Sequence, residues 1–426
     1  MRRTRDDVMT RLLLISLLLL VLVAAATVTQ SVAGVDPQMA GDPLPYDLGD
    51  SPSAITIVDL NGDRRPELVV INRHINTASV LLNNGNGSFA LKSRYATGLA
   101  PSAVAASDFN RDGKPDVVVA NSGSGTVSIL LGNGDGTLAG RKDYHTGAVP
   151  CAVAAADLNR DNSPDLVVVN RYGNSVSVLL GKGDGTFDAK IGYATGSLPY
   201  SVALSDVNRD GKRDLLVTSC FDHIVSMLPG NGDGTFRPKV RYARAKRSRG
   251  VVIGDLDGDG RPGLVEPHRY GYLISIQLVR EDGSPEVQRE YLAGKGPRSI
   301  LAADLDGDGI VDLAVANAGH RPGESGSVFI FLGRRNGAFE TKANFVTGSA
   351  SHSLALGDLN GDGKLDLAVL NSSYDFGGSV SVLFGNGDGT FGSRADYATG
   401  GYLIWVSFGE DANGGSERGV VWAEKP

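Results

Sequence analysis

Carboxylates recur in this chain at a spacing suited to hard-metal chemistry. Seven loops of the form Asp-x-Asn/Asp-x-Asp begin at Asp59, Asp108, Asp157, Asp206, Asp255, Asp304 and Asp358. Numbered from its first Asp, each loop carries oxygen side chains at positions one, three and five, and six of the seven add a carboxylate at position nine. The candidate ligands are therefore Asp59, Asn61, Asp63 and Glu67; Asp108, Asn110, Asp112 and Asp116; Asp157, Asn159, Asp161 and Asp165; and Asp206, Asn208, Asp210 and Asp214. The set continues with Asp255, Asp257 and Asp259; Asp304, Asp306, Asp308 and Asp312; and Asp358, Asn360, Asp362 and Asp366. Oxygen donors at alternate positions of a glycine-bent loop suit calcium, which takes about six to eight oxygens at ~2.3–2.6 Å. In the second loop Gly113 permits the bend, and the carbonyl of Lys114 is expected to point inward. Without a cation the same carboxylates repel one another. A single loop reads equally well as a solvated Asx turn; seven in register favour calcium.

The copies are not equal. The loops at Asp108, Asp206, Asp304 and Asp358 match at every position. The first loop has Arg64 at position six, where glycine is wanted, and Glu67 at position nine, so a weaker site is expected. The third has Asn162 at position six, which tolerates a left-handed backbone. The fifth has Gly263 where the last carboxylate belongs and is the doubtful site. From Asp255 to Glu266 that loop also fits the EF-hand pattern. Its flanks read as strands rather than helices, and the other copies carry Val where Glu266 stands, so the match is taken as coincidence.

The elements that must hold these loops follow from the spacing. The first five steps between loops are 49 residues and the last is 54. A fixed period of this length is one supersecondary unit copied along the chain. In the second copy, 102–107 (SAVAAS), 117–120 (VVVA), 126–131 (TVSILL) and 137–144 read as four short strands bounded by Gly, Asn and Asp. The first two are apolar almost throughout, as in strands buried on both faces. Four antiparallel strands with a two-sided core make one blade of a β-propeller. The chain is therefore expected to be all-β, a propeller of four-stranded antiparallel blades, with seven blades favoured and eight open. The repeats fill 46–396, and 397–426 reads as a decayed eighth unit whose first two strands would be 403–408 and 420–423. Residues near 44–48 are a candidate outer strand for that fragment. A closing Tyr recurs at Tyr46, Tyr95, Tyr144, Tyr193, Tyr242, Tyr291 and Tyr397, with Phe345 in its place once. The Asn thirteen residues after the first Asp of a loop (Asn72, Asn121, Asn170, Asn317, Asn371) reads as a turn former.

Composition narrows the classes further. Residues 1–33 read as a signal peptide or N-terminal anchor: Arg2, Arg3, Arg5 and Arg11 precede an apolar run over 12–28, with small residues at Ala26 and Ala33. Residues 34–45 would be a linker. Either reading of the leader exports the repeats to a secreted, periplasmic or cell-surface location, with membrane contact only through an uncleaved anchor. The whole chain has a formal charge of −7, which gives no support to a nucleic-acid partner. Only two cysteines occur, Cys151 and Cys220, so disulfides are not the scaffold; a single bridge or two thiols both remain open.

The Asp-x-Asn/Asp-x-Asp-Gly-x-x-Asp loops, the Gly-Asn-Gly-Asp-Gly-Thr-Phe turns at 230–236 and 385–391, and segments such as Thr97-Gly98-Leu99-Ala100-Pro101 together resemble the FG-GAP/VCBS repeat family, whose repeat builds the integrin α-subunit propeller. The resemblance spans about 46–396. It implies a propeller with calcium at the hairpin loops between the first and second strands of each blade. It implies no single function, because the repeat occurs in adhesins, in lectins and beside catalytic domains.

If the acidic loops share one face, the turns between second and third strands lie on the other. The extra residues of the sixth and seventh copies fall there, at 318–327 and 372–379. Bases and aromatics collect in the same turns, and a basic run precedes the fifth copy at 244–249. Arg247, Arg249, His268, Arg269, Tyr270, His320 and Arg321 are the candidate ligand-binding residues, for an anionic or sugar ligand. No metalloprotease, nucleophile-elbow, Cys-x-x-Cys or phosphate-loop motif is present. The favoured reading is an exported calcium-binding propeller that acts as a binding or adhesion module for a protein or polysaccharide. A polysaccharide-acting lyase or hydrolase using the second face, and a purely structural repeat protein, are the alternatives.

Overall fold

Runs of Val, Ile and Ala between Gly, Asn and Asp become strands at the period the repeats dictate. The computed structural model describes residues 52–85, 89–244, 251–259, 261–268, 271–279, 285–319, 324–373, 377–399 and 407–408. All of these fall in one unit, Asp42–Pro426. The leader over 1–33, the linker over 34–45 and the candidate strand near 44–48 lie outside the described residues. Among the described residues every regular element is a strand.

The strands form seven sheets, each containing four consecutive antiparallel strands, with one further short strand added to the first. Numbering the blades by their acidic loops, blade two consists of Pro101–Ser107, Asp116–Asn121, Thr126–Leu130 and Lys142–His145. We call these the inner, second, third and outer strands. The first three are buried along their length and the outer one is largely exposed. This gradient is the one expected when sheets stack face to face around an axis. The inner strands of successive blades lie against one another, and that of blade seven, Ser351–Gly357, lies against that of blade one, Pro52–Val58. The ring therefore closes at seven.

Two strand assignments differ from the sequence reading. The outer strand of blade two starts at Lys142, not at residue 137. Leu138 makes only an isolated bridge to Gly132. One extra residue enters the outer strand at this point. Blade one absorbs it as a register shift between Val80 and Leu81, whereas blade two breaks the ladder. At the C-terminus, Tyr397 belongs to the outer strand of blade seven, Phe391–Thr399, and pairs with Val380. Of the expected strand over 403–408, Ser407–Phe408 is a strand, and among the described residues it opens no eighth sheet; the expected strand over 420–423 lies outside them. It pairs in parallel with Thr56 and Ile57 on the free inner edge of blade one, and also lies against the inner strands of blades two and seven.

The repeat signposts bind the blades together. Ser53 Oγ donates to the carbonyl of Pro101 at 2.8 Å, and Ser102 Oγ to that of Pro150 at 2.8 Å. The closing tyrosines act across the same seams: Tyr95 Oη accepts the Leu138 N–H at 2.8 Å and Tyr291 Oη that of Phe339 at 3.2 Å. The residue that ends the turn between third and outer strands is buried at Leu138, Phe187, Phe236, Phe339 and Phe391.

The recurrent Asn is a buried hub rather than a turn former. Asn170 Nδ2 donates to Ser175 Oγ at 3.3 Å and Ser177 Oγ at 2.9 Å, while its Oδ1 accepts the Gly147 N–H of the preceding connection at 2.8 Å. Asn72, Asn121 and Asn371 reach the matching Ser79, Ser128 and Ser381. A side chain with donors and an acceptor is used here because strand ends buried between blades leave polar groups that water cannot reach.

Candidate metal centre

All seven acidic loops join inner to second strands and so lie on one face. The Gly-rich turns between third and outer strands lie on the same face and dock on the loop of the preceding blade. Gly136, Gly185, Gly234 and Gly389 donate their N–H to the carbonyls of Leu60, Phe109, Leu158 and Leu305. At the closing seam Asn83 Nδ2 donates to Leu359 O at 3.2 Å, so the ring is sewn there too.

Each loop is shaped by its own acceptors. In blade two Asp108 accepts the N–H of Asp112 at 3.1 Å and that of Gly113 at 2.8 Å. Asn110 Oδ1 accepts from Asp112, and Asp112 Oδ1 from Lys114. The pattern repeats in the loops at Asp206, Asp304 and Asp358. Two residues of the loop take left-handed backbone. Position six does so as expected, with φ of +79° at Gly113 and +64° at both Asn162 and Arg64. Position four does so in every loop, which the sequence reading missed: Gly62, Gly258, Gly307 and Gly361 sit at +74° to +81°, and Arg111, Arg160 and Arg209 at +57° to +66°. The signal was the glycine at position four in four of the copies, hidden by arginine in the other three. Left-handed backbone is uncommon outside glycine, asparagine and aspartate, and those arginines accept its cost.

The position-nine carboxylate is the anchor of the loop. Asp116 is fully buried; its Oδ2 accepts the Phe109 N–H at 2.8 Å and its Oδ1 the Gly132 N–H at 2.7 Å. Asp165, Asp214, Asp312 and Asp366 hold the same two partners in their blades. Glu67 keeps the first of them, accepting the Leu60 N–H at 2.8 Å, so the longer side chain preserves the anchor. Burial, reinforced by the neighbouring loop aspartates, pushes Asp116, Asp165 and Asp312 up to about 6 and Glu67 up to about 7. Asp214 and Asp366 are raised for the same reasons.

This donor set fits a hard cation. Carboxylate oxygens of Asp304, Asp306 and Asp312 lie within 4.8 Å of one another, as do those of Asp255, Asp257 and Asp259. The doubtful fifth loop thus converges its carboxylates without a ninth-position acid. Glu266 lies in the strand Pro262–Pro267 and pairs with Ser275, so the EF-hand match has no helix behind it.

On the opposite face the candidate ligand residues are mostly beyond view. Arg247, Arg249, Arg269, Tyr270, His320 and Arg321 lie outside the described residues. His268 is described and half-buried; it stands where other blades carry the hub Asn, with Nε2 2.7 Å from Ser275 Oγ. The insertion of blade seven lengthens its hairpin, pairing Ser373 with Gly377. Tyr172 and Phe221 in these turns were not among the candidates; they are 63% and 72% exposed, and Tyr272 of blade five is 48% exposed. Three neighbouring blades therefore each present an aromatic ring. Arg171 lies over the Tyr200 ring, 4.8 Å from its centroid. Cys151 and Cys220 are both free thiols.

Comparison with known proteins agrees with this geometry. A repeat family described as "FG-GAP-like repeat" matches residues 59–119, 108–168, 157–217, 206–265 and 304–369, together more than half of the chain. No curated protein matches significantly. Among solved structures, a putative 6-phosphogluconolactonase from Bacteroides fragilis is 16% identical with a TM-score of 0.56, over 81% of this chain and 94% of that one. The periplasmic gluconolactonase of Pseudomonas aeruginosa is 17% identical with a TM-score of 0.52, over 70% and 86%. The biofilm matrix protein Bap1 of V. cholerae covers 89% of each chain at 13% identity, and its TM-score of 0.43 is too low to carry an argument. At these identities the likeness is one of fold alone.

Proposed function

Since this chain belongs to the FG-GAP-like repeat family, we propose that it is an exported propeller whose acidic loops bind calcium and whose opposite face binds a polysaccharide or protein. The observation that carries the calcium reading is the convergence of Asp304, Asp306 and Asp312 around one point, with the last of them buried. Calcium bound there would neutralise carboxylates that otherwise repel one another. Its ligands would be the side chains at positions one, three, five and nine. The buried position-nine oxygens keep lone pairs beyond those used by the backbone.

The binding reading rests on the exposed rings of Tyr172, Phe221 and Tyr272. Aromatic side chains supply large contact area at low entropic cost and are enriched at interfaces. An enzymatic reading has less to draw on. Ser275 and His268 are in contact, but Ser275 is 2% exposed and occupies the place of the structural Ser128 and Ser177.

The test is a binding screen of the exported protein against immobilised polysaccharides and surface proteins, in calcium and in chelator. We expect one class of ligand to be retained in calcium, and at least tenfold weaker retention after Tyr172→Ala, Phe221→Ala and Tyr272→Ala combined. Equal retention by that variant would remove the aromatic face from the reading.

A further inference from the structure

The three arginines at left-handed position four reach out of their own loops. Arg111 Nη1 is 3.5 Å from the carbonyl of Asp161 in the loop of blade three. Arg160 donates to the carbonyl of Gly211 in the loop of blade four. Arg209 Nη2 donates to the carbonyl of Asp259 in the loop of blade five at 2.9 Å. Each guanidinium therefore sits at the acidic loop of the following blade. The fit is built on both sides: a Cβ at Gly183, in the turn of blade three, would come within 2.2 Å of the Arg111 guanidinium. The loops at Asp59, Asp108, Asp304 and Asp358 receive no such arginine, because position four of the preceding loop around the ring is Gly361, Gly62, Gly258 or Gly307.

We propose that Arg111, Arg160 and Arg209 serve as built-in cations for the loops of blades three, four and five, holding them in shape when calcium is absent. The ring then has two kinds of loop. Those at Asp157, Asp206 and Asp255 are bridged and depend less on calcium; those at Asp59, Asp108, Asp304 and Asp358 depend on it more. The physical reason has two parts. A guanidinium hydrogen-bonded to a loop carbonyl fixes that turn and offsets its negative charge. The same fixed positive charge opposes a divalent cation arriving beside it, so bridged loops bind calcium more weakly. The left-handed backbone at three arginines is the strain that this arrangement accepts.

The inference rests on the calcium reading above, and one experiment separates the two. Thermal midpoints are measured in chelator and in excess calcium for the native chain and for the combined Arg111→Gly, Arg160→Gly and Arg209→Gly variant. Glycine is what the other loops carry. A second variant with Asn at the three positions controls for backbone freedom, since Asn162 already takes φ of +64° in this chain. In both variants the midpoint in chelator should fall by a few degrees, while the rise produced by calcium grows. Calorimetric titration should show severalfold tighter binding at three of the sites. A calcium rise of unchanged size would overturn the proposal, whether or not the midpoint in chelator falls. A native chain with no calcium-dependent rise would sink the calcium reading itself, and the proposal with it.

Discussion

The position-nine carboxylates do two jobs that pull their proton affinity in opposite directions. They anchor the loop through backbone N–H groups, yet they are buried beside other carboxylates. Burial wins, and Asp116, Asp165 and Asp312 rise to about 6 and Glu67 to about 7. Between the ordinary carboxylate range and those values the folded chain holds more protons than the unfolded chain, so stability falls as pH rises through this window. The exposed turn residues Asp135, Asp184, Asp233 and Asp388 are lowered by hydrogen bonds from Thr hydroxyls and titrate below it. In chelator the melting midpoint is expected to drop from about pH 5 to about pH 8. On the calcium proposal, excess calcium would bind only the ionised form and should flatten or reverse that slope. A midpoint in chelator that climbs across the same range would contradict the assignment of these groups.

At the level of elements, the blade is a unit that cannot stand by itself. Its sheet buries both faces, and its polar signposts find their partners one blade away. Tyr95 illustrates this: its hydroxyl accepts the N–H of Leu138, which sits in the next blade's turn. Tyr95→Phe leaves that N–H without its acceptor at a seam, which should cost about 1–2 kcal/mol. Equilibrium denaturation would show this as a lower midpoint with an unchanged slope. A cost below a few tenths of a kcal/mol would mean that water replaces the hydroxyl. The hub asparagines follow the same logic. In blade five the hub is His268, and the serine it meets is still the third-strand serine.

Across the whole molecule, closure is the distinctive question. Each blade is complete with four consecutive strands, and blade one alone gains a fifth, Ser407–Phe408, from the C-terminal part of the chain. The seam between blades seven and one is held by packing of inner strands, by Asn83 on Leu359 O, and by Ser407–Phe408 laid along the inner edge of blade one. That last strand brings the C-terminal part of the chain back to the first blade after the ring is complete. A chain ending at Thr399 should therefore keep its seven blades and melt about 1–3 °C lower. An identical melting curve would show that the short strand contributes nothing to closure.

Periodicity by itself determined the architecture: seven acidic loops in register, each between apolar runs, leave little besides a ring of four-stranded blades. It also singled out the candidate donor positions of the proposed calcium sites, because oxygen side chains at alternate places in a loop are a local pattern. What it could not give were contacts between residues far apart in the chain. Asn170 looks like a turn residue until Ser177 and Gly147 close around it. Arg160 at position four looks like a solvated surface base until the next blade brings Gly211 within its reach. Ser407–Phe408 resembled the start of another module, and the empty edge of blade one gave it a partner instead. Local pattern fixes which residues bend, bury or bind, because those properties act over a few residues of chain; which blade answers them depends on how the ring closes, and only the folded molecule decides that.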